Sequence, residues 1–153
     1  MQTGFISILP VLITAGWLGI AAWYDIRKKA LPLLLVVVFL LLAVIWDAVL
    51  IMKGEAVLYE RILAFLPGIF FLALSLMSSD KVGLGDGLSM IGAGQFAGAA
   101  GIFCTMCAAI LLCAVYALIL LAAGKASPKR RIAFIPFLLA GFIIVLSFGG
   151  GAQ

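Results

Sequence analysis

The sequence predicts an all-α, polytopic integral membrane protein with about six transmembrane helices. Of its 153 residues, 67% are hydrophobic and 10% are charged, and the mean hydropathy is +1.36. Soluble domains carry roughly 25% charged residues, so this chain has too few charges to cover a water-exposed surface. Because a spanning helix needs about 20 apolar residues, residues 1–153 are expected to form a single transmembrane domain without a sizeable extramembrane part.

Two apolar runs near the N-terminus predict the first two helices. The first run covers residues 5–24 and is followed by Asp25 and the basic cluster 27–29. A cleaved signal peptide carries its positive charge before the apolar run, so this order predicts a retained helix. The second run covers residues 31–52 and has Pro32 in its first turn, where the missing N–H of proline costs little.

The middle of the chain predicts a third helix at residues 62–77 and a fourth at residues 83–101. Pro67 in the third helix predicts a kink, because proline removes one helical hydrogen bond. The fourth segment is rich in glycine but remains apolar. Its pair Gly94 and Gly98 has the spacing that allows helix backbones to pack closely in membranes.

The C-terminal half predicts a fifth helix at residues 102–123 and a sixth at residues 132–148. With six helices, eight of the ten Lys and Arg residues fall in the connections on one side of the membrane, and only Lys53 and Arg61 fall on the other. Basic connections face the cytoplasm. We therefore expect a multi-pass protein of the cytoplasmic membrane with both termini outside.

The residue types restrict the possible chemistry. The chain has no histidine, which excludes Ser-His and Cys-His catalysis and histidine-ligated metal sites. Cys104, Cys107 and Cys113 lie within one apolar run and are expected to be small buried hydrophobic residues. The basic residues are explained as topology signals, so nucleic-acid binding is not expected. Neither a metal nor another cofactor is predicted.

Two carboxylates are expected at the cytoplasmic boundary. Asp25 ends the first helix there and Asp86 begins the fourth. Two carboxyl groups that share a site hold one proton between them, so one can activate water while the other protonates a peptide carbonyl. Alternatively, Asp25 reaches the membrane interface beside the basic cluster 27–29 and Asp86 only caps its helix. Gly83, Gly85 and Gly87 are expected to let a substrate backbone approach.

The other polar residues are predicted to have simpler roles. Asp47 lies next to Trp46 near the outer end of the second helix, so we expect its carboxylate to reach the interface. Asp80 is expected to be a solvated charge, although its distance from Asp86 along the chain leaves it as an alternative catalytic partner. Gln95 is expected to form a hydrogen bond to a neighbouring helix.

Three segments resemble the type IV prepilin peptidases. Residues 25–32 (DIRKKALP) resemble the first-aspartate motif of that family, and residues 83–86 (GLGD) resemble its Gly-x-Gly-Asp signature. Residues 131–141 (RIAFIPFLLAG) are similar to the proline-phenylalanine segment that follows the last cytoplasmic loop. The three segments occur in the order of the family.

The resemblance implies a membrane aspartyl endopeptidase that cleaves the leader of type IV prepilin-like precursors at the cytoplasmic face. It implies Asp25 and Asp86 as the catalytic pair, a precursor peptide and membrane lipid as partners, and a role in type IV pilus assembly or protein secretion. The cysteine-bearing insertion of the bifunctional members is absent, which indicates the short peptidase-only branch without methyltransferase activity. The oligomeric state is not indicated.

The sequence also departs from the family pattern. Leu88 stands where the family has a lysine, and Leu33 stands where it has an asparagine, so substrate recognition is expected to differ. The presenilin-like proteases share the Gly-x-Gly-Asp motif but have more helices. The alternative from another functional class is a non-enzymatic helical bundle, such as a transporter, a channel subunit or a degenerate pseudo-peptidase, in which glycines pack helices and aspartates bind cations.

Overall fold

The computed structural model describes residues 3–28, 32–54, 58–77, 84–124 and 133–149. These residues form five helices and no strands, which confirms the all-helical class. The helices are α1 (Thr3–Lys28), α2 (Leu33–Met52), α3 (Leu58–Met77), α4 (Leu84–Ala122) and α5 (Ile135–Gly149).

Four of these helices, α1 to α4, are long and apolar enough to cross a membrane, and α5 is shorter. The count of about six spanning helices is therefore not confirmed. The segments 83–101 and 102–123 were expected to be separate helices, and α4 does consist of two helical stretches that meet at a kink at Gly98. The break between them lies a few residues earlier in the chain than expected.

α4 bends sharply at Gly98. The dihedral angles of Gly98 are φ 75° and ψ 169°, outside the helical region. Gly94 and Ile102 would be roughly 12 Å apart along a straight helix. Instead, a Cβ built on Gly94 would lie 3.6 Å from the Ile102 side chain. We therefore describe α4 as two arms, the first arm (84–97) and the second arm (99–122).

Contacts with α1 and α5 show that the two arms run in opposite directions. Both arms line a cavity of about 300 Å³ beside Pro10, the first through Phe96 and the second through Thr105. Farther along the second arm, the Tyr116 ring lies 5.4 Å from the Phe137 ring in the first turn of α5. That turn of α5 meets the other end of α1, at Asp25. We call these two ends of the bundle the Pro10 end and the Asp25 end.

The first arm packs directly against α3. A Cβ on Gly94 would lie 2.5 Å from the Ala64 carbonyl oxygen, and one on Gly87 would lie 2.9 Å from the Leu72 nitrogen. The expected packing role of Gly94 agrees with this contact. The expected packing role of Gly98 is wrong, since a Cβ there would meet nothing within 4 Å. Gly98 instead provides a positive φ that other residues rarely adopt.

Aromatic side chains connect α1 and α2 to the first arm. The Trp17 and Phe39 rings stack with centroids 4.5 Å apart, and Phe96 lies 5.5 Å from Phe39 and 6.1 Å from Trp46. These rings belong to the buried core of α1, α2 and α4 or pack against it. α3 continues through Pro67, and the kink expected there stays a prediction.

The cysteines lie on the second arm but not in its core. Cys104 and Cys107 are exposed and Cys113 is half-buried, so the expectation that all three are buried is wrong. The reason is that most of the second arm faces outward, and a thiol is apolar enough to contact lipid at little cost.

The bend in α4 gives a test that separates backbone conformation from packing. Gly98→Ala is expected to lower the free energy of unfolding by about 1–3 kcal/mol, because φ 75° with ψ 169° is a region that essentially only glycine adopts. Thermal unfolding in detergent measures this change. The matched control is Gly16→Ala. The added Cβ at this position also meets nothing within 4 Å, but Gly16 lies in a regular helix. An unchanged stability for Gly98→Ala would contradict the requirement for a positive φ.

Candidate active site

Asp25 lies on the inward face of α1. Its side chain continues a stripe of buried residues with helical spacing, and Asp25 itself is only 6% exposed. The next three residues, 26–28, are exposed. The carboxyl group therefore points into the bundle, and the alternative that it reaches the interface beside the basic cluster is wrong. The buried stripe consists of Thr14, Leu18, Ala21 and Asp25.

The N-terminus of α5 contacts this carboxylate. The Ile135 backbone N–H donates a hydrogen bond to Asp25 Oδ2 at 3.4 Å. Pro136 has no N–H, and the next two N–H groups, of Phe137 and Leu138, donate to the Phe134 carbonyl. The first N–H of α5 is thus directed at Asp25, and the positive end of the helix dipole lies beside it. Such a position stabilises negative charge.

Asp86 lies in the first turn of α4 and is 7% exposed. The next residue, Gly87, packs against the α3 backbone at Leu72. The side chain of Asp86 therefore points to a different face of the helix from the one that contacts α3 at Gly87, since successive residues of a helix are rotated by roughly 100°. Asp86 shares its face of the first arm with Met90 and Ala93, which belong to the buried core.

A chain of contacts connects the surroundings of the two aspartates. On the α4 side, Gly87, the residue after Asp86, packs against Leu72 of α3. The residue before Leu72 is Phe71, whose ring stacks on the Phe134 ring with centroids 4.8 Å apart. Phe134 directly precedes Ile135, whose N–H binds Asp25. The first turn of α4, the C-terminal half of α3 and the start of α5 therefore meet at the Asp25 end. Asp25 and Asp86 are both buried at this end of the bundle.

The three glycines expected to shape the site have different positions. Gly83 lies outside the described residues, and Gly85 is half-buried in the first turn of α4. Gly87 is buried, and the α3 backbone fills the space that a side chain would take. Gly87 thus allows close helix contact, while a substrate-binding role for Gly83 and Gly85 stays a proposal. Asp80, the alternative partner, is also outside the described residues.

Sequence reasoning missed two groups near the aspartates. One is the Ile135 N–H, for which Pro136 was the available signal, because proline is common in the first turn of a helix. The other is Ser89, which lies one turn after Asp86 and is fully buried. Within the described ranges, its hydroxyl has no hydrogen-bond partner. By contrast, the Thr14 hydroxyl donates to a carbonyl of its own helix.

Asp47 does not belong to this site. Its Oδ1 lies 3.5 Å from Arg61 Nη1, and the residue is buried. The expectation that Asp47 reaches the interface is wrong, and so is the placement of Arg61 in a connection. α3 begins at Leu58 rather than at residue 62, which brings Arg61 into the helix and beside Asp47. In the part of the chain that the structure describes, no three acidic or cysteine side chains could together hold a metal ion.

Comparison with known proteins identifies one family. The family model described as the type IV leader peptidase family matches residues 12–118, a range that includes both Asp25 and Asp86. Neither the curated proteins nor the solved structures contain a match.

The contact at Gly87 predicts a strong effect of a very small substitution. Gly87→Ala is expected to lower the free energy of unfolding by about 1–3 kcal/mol, because the new Cβ would lie 2.9 Å from the Leu72 nitrogen and α3 would have to move. Gly19→Ala is the matched control, since its Cβ would meet nothing within 4 Å. Equal unfolding temperatures in detergent for the two variants would contradict close contact between α3 and the first arm.

Proposed function

Because the chain belongs to the type IV leader peptidase family, we propose that it is a membrane-embedded aspartyl endopeptidase that cleaves the leader of type IV prepilin-like precursors. The proposed catalytic pair is Asp25 and Asp86. The observation that carries the proposal is the burial of both carboxyl groups at one end of the bundle, where α1, α3, α4 and α5 meet. Structural carboxylates are rarely buried in a membrane protein, where they are costly.

The proposed reaction needs one ionised and one protonated carboxyl group. Two neighbouring carboxyl groups reach this state because repulsion prevents both from ionising. The ionised group takes a proton from a water molecule, which attacks the carbonyl carbon of the scissile peptide bond. The protonated group donates its proton to the carbonyl oxygen. As the intermediate collapses and its C–N bond breaks, the protonated carboxyl group gives its proton to the leaving amine. The other carboxylate takes a proton back from a hydroxyl of the intermediate, which becomes the new carboxylic acid, so the pair again holds one proton.

The surroundings of the pair support this chemistry. The Ile135 N–H donates a hydrogen bond to Oδ2 of Asp25 and orients its carboxylate. At Gly83 and Gly85, the absence of side chains would let an extended peptide approach Asp86. The proposed reaction uses only carboxyl groups and water, and it therefore requires no cofactor.

We place the pair at the cytoplasmic face of the membrane. Eight of the ten basic residues are assigned to that side when both termini lie outside. Near Asp25, the Arg27 guanidinium lies 4.2 Å from the centre of the Trp23 ring, and the Lys28 ammonium lies 5.6 Å from that of Tyr24. Aromatic and basic residues together are typical of a membrane interface. A precursor leader in the cytoplasm would reach the pair from this side.

Substitution of either aspartate tests the proposed pair. Asp25→Asn and Asp86→Asn are each expected to reduce cleavage by about 100-fold or more, because an amide cannot accept the proton from water or share the proton of the pair. The measurement is the cleavage of a pilin-like precursor by the full chain in lipid vesicles, with circular dichroism to verify the fold.

The matched control is Glu60→Gln, which removes an exposed carboxylate from the first turn of α3 and should leave cleavage unchanged. Full cleavage by Asp86→Asn would eliminate the aspartyl mechanism. Absence of cleavage by the unaltered protein would favour the degenerate pseudo-peptidase, in which Leu88 and Leu33 replace two polar residues of the family pattern.

A further inference from the structure

A second polar cluster lies away from the two aspartates, toward the Pro10 end of the bundle. Arg61 of α3 donates a hydrogen bond from Nη1 to the backbone carbonyl of Gln95 at 2.6 Å, and the same nitrogen lies 3.5 Å from Asp47 Oδ1 of α2. The side chains of Arg61 and Asp47 are only 17% and 13% exposed. The expected hydrogen bond between Gln95 and a neighbouring helix thus forms through its carbonyl rather than its side chain.

The position of Gln95 explains why its carbonyl needs an outside donor. Gln95 is among the last four residues of the first arm, which ends at the bend at Gly98. The last four carbonyls of a helix lack partners within that helix, and within a membrane no water is present to replace them. A guanidinium group near a helix C-terminus donates to such a carbonyl and is attracted by the negative end of the helix dipole.

The carboxylate of Asp47 compensates the charge of the buried Arg61 guanidinium. An isolated guanidinium in this environment would be strongly unfavourable, and a carboxylate beside it compensates the charge. Buried ion pairs add little stability over apolar residues of the same size. The presence of this cluster is therefore better explained by where it holds the helices than by how much it stabilises them.

The first arm connects the hydrogen bond between Arg61 and the Gln95 carbonyl to Asp86, since Gln95 and Asp86 lie on the same helical stretch. Close glycine contacts with α3 at Gly87 and Gly94 hold the arm along its length, and Asp86 lies roughly 13 Å from Gln95 at 1.5 Å per residue. We infer that Arg61 is a positioning residue, which caps the end of the first arm, fixes the bend in α4 and thereby sets the position of Asp86. Its effect on turnover rests on the proposed function, whereas its effect on the bend does not.

The experiment compares a variant that removes the donor with variants that retain it. The double variant Asp47→Leu with Arg61→Met removes both charges together, so that no unpaired buried charge remains to prevent folding. Arg61→Lys retains a cation and a donor. The matched control is Lys53→Met. This variant removes an exposed cation at the C-terminal end of α2, a few residues before α3 begins.

The first measurement is the distance between spin labels at Tyr59 on α3 and Leu111 on the second arm, both of which are exposed. The three cysteines are replaced beforehand. We expect a single narrow distance distribution for the unaltered chain, Arg61→Lys and Lys53→Met, and a broadened or shifted one for the double variant. A narrow, unshifted distribution for the double variant would overturn the inference.

The second measurement is cleavage of a pilin-like precursor. We expect the double variant to lose about tenfold or more in kcat with little change in KM, because a displacement of a catalytic group by about 1 Å can reduce the rate strongly. Arg61→Lys should restore most of the turnover. An altered distance between the labels with unchanged kcat would overturn the inference that Arg61 positions Asp86. If the unaltered protein cleaves nothing, the proposed function fails, while the distance measurement still decides the role of Arg61 at the bend.

Discussion

The first arm of α4 lies directly against the backbone of α3, because glycine occupies the points of closest approach. At Gly68, Gly87 and Gly94, an added Cβ would come within 3.0 Å of an atom on the facing helix. Backbones in such contact cannot slide without a clash. The contact therefore fixes the position of Asp86 along α3, and it also places Phe71 against Phe134 at the start of α5. The orientation of Asp25 depends on that same start of α5.

The bend at Gly98 is the second feature on which the arrangement depends. A continuous helix of 39 residues would be about twice as long as the roughly 30 Å hydrocarbon core, so α4 has to reverse within the bundle. A reversal leaves helix-end carbonyls in an apolar environment, and a buried polar group without a partner costs several kcal/mol in lipid. Arg61 satisfies one of these carbonyls, which gives a physical reason for a charged pair inside a chain with so few charges.

The sequence predicted the parts of the structure that depend on hydropathy and residue type. It correctly predicted the all-helical class, the close packing at Gly94 and the peptidase family, because apolar runs and short motifs carry these signals. It did not distinguish Gly94 from Gly98, since packing and a positive φ both require glycine. It also missed the Arg61 contact with Asp47, because the start of α3 was expected four residues too late and helix ends are poorly defined by hydropathy. The Ile135 N–H was missed because Pro136 indicates only that a helix begins nearby, and the residue that the first backbone N–H contacts depends on the packing of α5 against α1.

Cross-linking tests whether the carboxyl groups of Asp25 and Asp86 share one site. In a chain without its three native cysteines, cysteines are introduced at positions 25 and 86, and mild oxidation is followed by cleavage of the chain between them. Disulfides form only when Cα atoms lie within about 7 Å, and short bifunctional reagents extend this range. A shared site predicts efficient cross-linking of this pair and none between positions 47 and 86. Failure of disulfide and short-reagent cross-linking between positions 25 and 86 in a folded protein would contradict a shared site.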